Sequence, residues 1–273
     1  MDDILKKILA TKHKEIAEKK KSLPLATIKT LAQSKAESRG FVEHLKKTAN
    51  QNNNAVIAEI KRASPSKGII REHFDPVDIA LTYERHGATC LSILTDTQYF
   101  HGSDDFIAEV KERVNLPILR KDFIVDPYQI HEAKALGADC ILLIVAALKT
   151  DQMVELFELA KAIGLDVLVE VHDRIELEQT QRLNLELIGI NNRNLKTFET
   201  SLSTTIDLLA SVPSSATIVT ESGIKNSEDV SFMNANNVNC FLVGEAFMRA
   251  DDPGKALKEL FFPEKKRSMV TED

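Results

Sequence analysis

Glu59 and Lys61 close the apolar run Val56-Ile57-Ala58-Glu59-Ile60-Lys61, and the chain then breaks at once into Arg62-Ala63-Ser64-Pro65-Ser66-Lys67-Gly68. Residues two apart on a strand point to one face, so a strand here sets a carboxylate beside an ammonium. Burying ions is costly, and such a pair reads either as a structural strand-end ion pair or as part of a site. This segment alone leaves both readings open. Similar groups close other apolar runs: Asp96, Lys121 with Asp122, Glu170 with His172, Asn191 with Arg193, Glu221 with Ser222, and Gly244 with Glu245. Two lysines, an arginine and two or three carboxylates converging on one pocket neutralise one another and offer acids and bases that burial can tune. An ammonium held by carboxylates is a usable general acid. A carboxylate in a partly apolar mouth is a usable general base.

A phosphate signal lies beside these groups. Ser64-Pro65-Ser66-Lys67-Gly68 supplies hydroxyls, a cation and flexible backbone after the first run. Glu221-Ser222-Gly223-Ile224 and Val243-Gly244-Glu245-Ala246 put small residues after the last two runs, where backbone N–H groups at helix starts can cradle a phosphate. Each loop alone also reads as an ordinary glycine turn. Together they point to a phosphorylated substrate.

The elements that must position these groups are legible in the hydrophobic pattern. Apolar, β-branched runs recur at 56–61, 90–95, 116–121, 140–146, 166–171, 187–192, 217–221 and 240–244. Their starts lie roughly 20–35 residues apart, the size of a strand plus a crossover helix. Helical patterns fill the gaps at 127–136, 153–163 and 229–234, with Gly87, Gly137 and Gly164 placed as helix C-caps. Eight such units with strands apolar on both faces predict an α/β fold, a closed (β/α)₈ TIM barrel. An open doubly wound sheet is the alternative, but neither GxGxxG nor GxxxxGK[ST] follows the first strand. Barrel chemistry gathers at the C-terminal strand ends, where the ionisable residues lie, and the opposite ends are expected to carry few. Residues 1–48, rich in Lys, Glu, Ala and Leu with Ile4, Leu5, Ile8 and Leu9 at helical spacing, predict one to three helices packing on the barrel. The barrel then occupies 49–264, and 265–273 form a polar tail.

Composition limits the alternatives. The chain has 273 residues, 43% hydrophobic and 28% charged, with a net charge of −6. That balance argues against bulk nucleic-acid or acidic-membrane binding while allowing a local basic pocket. No apolar run long enough to span a membrane and no apolar signal core are present. Cys90, Cys140 and Cys240 each begin an apolar run with no CxxC spacing, as expected of reduced, buried thiols in a cytoplasmic protein. The seven histidines form no i, i+4 pair and no HExxH, so no metal site is expected.

The segments AEIKRASPSKG (58–68), SILTDTQYFHGS (92–103), LPILRKDFIVDPYQI (116–130), VLVEVHD (167–173), IGINNRNLKTF (188–198), TESGI (220–224) and LVGEAFM (242–248) resemble the indole-3-glycerol phosphate synthase family. The likeness covers essentially the whole chain and suits a single-activity enzyme. It implies conversion of 1-(2-carboxyphenylamino)-1-deoxyribulose 5-phosphate to indole-3-glycerol phosphate, CO₂ and water, in tryptophan biosynthesis, with no cofactor or metal. By the same resemblance, Lys121 is the general acid of ring closure and Glu170 the base of the closing dehydration. Lys61 contacts the substrate carboxylate and is a candidate second acid, with Glu59 poised beside it. Asn191 and Arg193 orient and anchor the anthranilate part. Glu221 and Ser222 complete the mouth, and Phe123 and Leu195 wall the ring. Ser64, Gly223, Gly244 and Glu245 hold the phosphate, the last three through their backbone. Which lysine serves which step stays open. Phe247 departs from the family pattern, where Leu is more usual. Transient contact with neighbouring enzymes of the pathway is a further expectation. Two competing readings are a phosphoribosyl anthranilate isomerase, whose acid–base pair is typically Cys and Asp, and a barrel kept only as a binding scaffold. The first is disfavoured because the cysteines begin strands, the second because Lys61, Lys121, Glu170, Asn191 and Arg193 are all present.

Overall fold

A computed structural model describes residues 3–51, 53–194 and 197–263. Eight parallel strands close into a barrel: β1 (Ala55–Ile60), β2 (Cys90–Leu94), β3 (Ile118–Lys121), β4 (Cys140–Ile144), β5 (Asp166–Val171), β6 (Leu187–Asn191), β7 (Thr217–Glu221) and β8 (Cys240–Val243). Each pairs with its neighbours in sequence, and β1 seals the ring with Ile57 opposite Cys90 and Ala55 opposite Cys240. Helices cover the outside, so both strand faces are buried. β3 starts two residues later than the apolar pattern predicts because Pro117 has no N–H to give to a ladder. The helix expected at 153–163 runs Thr150–Ala162, and Gly87, Gly137 and Gly164 take the left-handed backbone that ends the helices before them.

The period-two alternation of the strands sorts the interior from the shell. Ala55, Ile57, Leu119, Leu168, Val219 and Leu242 share one inner cluster, while Val56, Ala58, Val169, Ile188 and Val243 belong to the cluster under the helices. Two residues beyond the inner layer on each strand, the same alternation places Glu59, Lys121, Glu170, Glu221 and Gly244 on the inner face. Gly189 and then Asn191 continue this pattern on β6. The polar groups thus form the last layer of the barrel interior, at its C-terminal mouth.

Three helices precede β1: α1 (Asp3–Ser22), α2 (Leu25–Gln33) and α3 (Phe41–Ala49). α3 plugs the lower end, with Phe41 and Leu45 fully buried in the inner cluster. The lower rim is more ionisable than the sequence suggests. Asp139 accepts hydrogen bonds from the N–H groups of Arg39 (2.7 Å) and Ile118 (2.8 Å), and Asp166 accepts from Val42 N–H (3.0 Å). These carboxylates satisfy donors at and just before the start of α3, which the helix itself leaves unpaired. Their role is to attach the plug. Cys90, Cys140 and Cys240 are buried in the same lower layer, where burial pushes the first two thiols well above their usual value. Cysteines so placed are inert packing groups, as their positions at strand starts imply. Among the described residues, no helix is long and apolar enough to cross a membrane, and no cluster of His, Cys, Asp or Glu has metal-binding geometry.

α1 takes a different place from α3. Its Ile4, Leu5 and Ile8 line the cavity at the upper mouth. The helix is fastened there by Lys12, only 4% exposed, whose Nζ lies 3.0 Å from Asp122 Oδ1, 3.1 Å from Asp96 Oδ2 and 2.8 Å from Glu15 Oε2. Two turns further on, Lys19 pairs with Asp104 and Glu132, both of which also hold the buried Arg120 guanidinium (2.8 and 2.7 Å). The helix is therefore tied to strand-end charges of β2 and β3.

Candidate active site

A cavity of about 830 Å³ opens at the C-terminal end of the barrel, within the size range of small-molecule sites. Lys121, the last residue of β3, lines it. Its Nζ lies 3.5 Å from Glu170 Oε2, 3.6 Å from Glu221 Oε2 and 3.9 Å from Glu59 Oε1. The three carboxylates come from β1, β5 and β7, so only barrel closure brings them to one ammonium. Lys61 is ion-paired and hydrogen-bonded to the other oxygen of Glu59. Burial opposes the charge of Lys121, but Glu221, Glu170 and Glu59 outweigh it and hold the lysine protonated above its usual range.

The carboxylates divide into two kinds. Burial works against the charge of Glu170, yet Lys121 and then His172 prevail and keep its carboxyl well below the usual range. Glu59 is lowered in the same way, against burial, by Lys61 and then Lys121. Glu221 goes the other way: burial, followed by the nearby Glu170 charge, pushes it up to about 8. The three carboxylates around Lys121 are therefore unequal: Glu59 and Glu170 are favoured as anions, while Glu221 binds its proton more tightly than either. Pairs of acids driven apart in this manner are a mark of acid–base sites.

Space for these side chains is made by two glycines. A Cβ at Gly189 would stand 2.0 Å from Glu221 Oε1, and one at Gly244 would stand 2.3 Å from Glu59 Oε2. Neither glycine needs a left-handed backbone. Both are small because a carboxylate lies across them. On β6, Asn191 Nδ2 donates to Glu170 Oε1 (3.2 Å), while Asn191 Oδ1 accepts from the Arg193 N–H (3.0 Å). The Arg193 guanidinium reaches Glu245 Oε2 at 3.5 Å. Asn192 points away from the cavity and braces the neighbouring strand end: its Nδ2 donates to Thr220 Oγ1 and to the carbonyls of Glu221 and Ser222.

The loops supply the rest of the wall. Ser64 sits in a two-residue ribbon, Ala63–Ser64 against Gly68–Ile69, and lines the cavity together with Ser66 and Lys67. Ser222 and Gly223 both have positive φ (62° and 94°) after β7, and Gly244 precedes the short helix Glu245–Met248 after β8. Ser222, Gly223, Gly244 and Glu245 all line the same cavity. Phe123 faces Phe100 with ring centroids 6.1 Å apart, giving one apolar flank. Leu195, the other expected wall, lies outside the described residues. Phe247, the departure from the family pattern, is fully buried against Tyr83 and Phe261 and serves packing outside the mouth.

Thirteen of the fourteen expected site residues thus line one cavity. Asp96, a strand-end carboxylate that the sequence also suggests, turns aside instead. It caps the helix Thr97–Phe100 through Tyr99 N–H (2.7 Å) and pairs with Lys12. The α1 residues Ile4, Leu5 and Ile8 are cavity residues that strand-end reasoning misses. Their helical spacing is visible, but nothing in it tells which face of the barrel the helix covers.

Several solved structures share the fold. Tryptophan synthase subunit alpha from Legionella pneumophila superposes with a TM-score of 0.58 at 14% identity, over 83% of this chain and 96% of that one. The N-acetylmannosamine-6-phosphate 2-epimerase from Clostridium perfringens gives 0.58 at 14%, over 80% and 93%. KGPDC from Streptococcus mutans gives 0.57 at 10%, over 75% and 93%. At such identities the likeness shows a common barrel and nothing about chemistry. The sequence match is decisive where these are not: residues 5–260 fit the profile of indole-3-glycerol phosphate synthase, so the span includes α1 from Leu5 onward and every strand end described above, and this chain belongs to the indole-3-glycerol phosphate synthase family, the carboxy-lyases that close the indole ring in tryptophan biosynthesis.

Proposed function

We propose that Lys121 and Glu170 are the acid and base of this reaction, with Lys61 as the second acid. The observation that carries the reading is the single ammonium of Lys121 held among three buried carboxylates. A weak aromatic carbon nucleophile attacks the ribulose carbonyl only if charge developing on oxygen is met by a proton donor. Lys121, kept protonated by its neighbours, is such a donor. The new carbon–carbon bond forms as the carbonyl oxygen takes the Lys121 proton and becomes a hydroxyl. CO₂ then leaves with its bonding pair returning to the ring, a step that asks mainly for positioning. In the last step the hydroxyl departs as water with a second proton, supplied by Lys61, while Glu170 takes the ring proton that is lost. Two protons are given and one is taken, so each turnover consumes one proton from solvent, as conversion of a carboxylate to CO₂ requires.

The substrate is anionic at both ends, which accounts for cations in the mouth of an acidic protein. Lys61 and Arg193 are suited to the carboxyphenyl end, oriented by Asn191, with Phe123 and Leu195 against the ring. Ser64 and the backbone at Gly223, Gly244 and Glu245 are suited to the phosphate, where unpaired N–H groups favour an anion. Glu59 holds Lys61 in place through their ion pair, and Glu221 and Ser222 complete the mouth between the two ends. A cytoplasmic location and transient contact with neighbouring enzymes of the pathway belong to the same proposal and rest on the family alone.

Single-turnover mixing of Lys121→Ala with the carboxyphenylamino substrate tests the assignment. Ring closure is expected to fall by at least about a hundred-fold, the scale of lost general acid catalysis. Near-normal closure would move the acid to Lys61.

A further inference from the structure

His172 follows β5 directly and is not needed by the steps above, yet its ring is set between two carboxylates. Nδ1 lies 2.9 Å from Glu176 Oε2, and the same oxygen accepts the His172 backbone N–H at 2.8 Å. Nε2 lies 3.3 Å from Glu170 Oε1. That contact is off the line of a full hydrogen bond and leaves Nε2 buried without another partner. One Glu176 oxygen thus meets both the ring and the backbone N–H of His172, which orients the ring towards Glu170. Glu170 Oε1 is also the oxygen that accepts from Asn191, whereas Oε2 faces Lys121. One oxygen of the carboxylate is thus held by an amide and an imidazole, the other by the ammonium.

We infer that His172, braced by Glu176, is a positioning residue that holds the Glu170 carboxylate as an anion for proton abstraction. The inference rests on the reading of Glu170 as the dehydration base. Without such a group, a buried base beside Glu221 and Glu59 has the neutral Asn191 amide and the Lys121 ammonium to favour its charge, and Lys121 is the residue that loses a proton during the reaction. With Lys121 momentarily neutral, a cation at His172 keeps Glu170 ionised for the step that follows. The charged groups set against the ring are Glu170 from its own strand and Glu176 from the helix Arg174–Gln179. Lys121 acts on it through Glu170, and the Asp173 carboxylate is turned to the N–H of Glu176 at that helix start. Burial opposes the imidazolium, but the two glutamates outweigh it and raise the ring to about 10, so it carries charge throughout the neutral range.

The test is the pH dependence of the single-turnover dehydration rate, read as indole absorbance growing from the ring-closed intermediate. It is measured for the wild type, His172→Gln and Glu176→Gln, with Glu170→Gln as reference. His172→Gln keeps a donor at the Nε2 position but no charge. Its acid limb is expected to move up by about one pH unit or more, the scale of losing an opposite charge at this distance. Glu176→Gln, which leaves the ring in place, is expected to move it in the same direction by less. KM is expected to change little in both, as no substrate contact is lost. Superimposable profiles, or a fall in rate equal at every pH, overturn the role of His172. If Glu170→Gln dehydrates at the normal rate, it is the base assignment that fails, whatever His172 does.

Discussion

The Glu221 carboxylate lies directly across the bare α-carbon of Gly189, so close that a Cβ there would stand 2.0 Å from Oε1. One strand therefore omits a side chain so that the next can aim an acid into the barrel. Gly189→Ala is expected to displace Glu221 and, with it, the grouping around Lys121. Displacements of about 1 Å in an active site cost up to about a hundred-fold in rate, so kcat should drop at least ten-fold. Urea denaturation should show a loss of about 1–3 kcal/mol from overpacking.

Gly244 makes the same allowance for Glu59, whose Oε2 and Cβ would lie 2.3 and 2.9 Å from an added Cβ. The second contact is to an atom fixed by β1, so the side chain cannot simply rotate away. Gly244→Ala is expected to break the Glu59–Lys61 pair and to distort the backbone proposed to hold phosphate. Steady-state kinetics should show KM rising as kcat falls, each by roughly ten-fold.

Glu221 gives the fold a pH dependence of defined sign. Its pKa is raised from 4.5 to about 8 on folding, so between these values the folded chain binds a proton that the unfolded chain does not. The contribution is fully present below about pH 4.5 and is lost as pH rises through about 8. Glu221→Gln removes it. The stability of the variant relative to the wild type should therefore increase from pH 5 to pH 8, by an amount on the order of a few kcal/mol, read from urea midpoints at each pH.

Lys12 anchors α1 to Asp96 and Asp122 with its side chain almost wholly buried. Lys12→Met leaves Asp96 without this partner, while Asp122 keeps Arg120. Removing one member of a buried pair costs about 3–5 kcal/mol, and the lower end is expected here. Ile4, Leu5 and Ile8 lie one to two turns away on the same helix and line the cavity. Loosening them should raise KM more than it lowers kcat, which substrate titration would show.

The amino-acid sequence by itself determined the barrel and the rim that carries the chemistry. Both are local consequences of pattern: eight β-branched runs at crossover spacing, and ionisable residues at the C-terminal end of almost every one. Period-two alternation even sorts Glu59, Lys121, Glu170 and Glu221 onto the interior face, since each follows an inner-layer residue by two positions. The roles of individual charges are another matter. Asp96 lies within two residues of the end of β2 and Glu221 closes β7, yet Asp96 serves a helix cap and Lys12, while Glu221 faces Lys121 and has its proton affinity raised by burial. Nothing near either residue in the chain separates them, because proton affinity is set by burial and by charges brought in from strands far away in sequence. The same holds for α1 over the mouth, α3 beneath it, and His172 between its two glutamates. Strand identity is written in local periodicity, whereas electrostatic environment exists only once the barrel has closed.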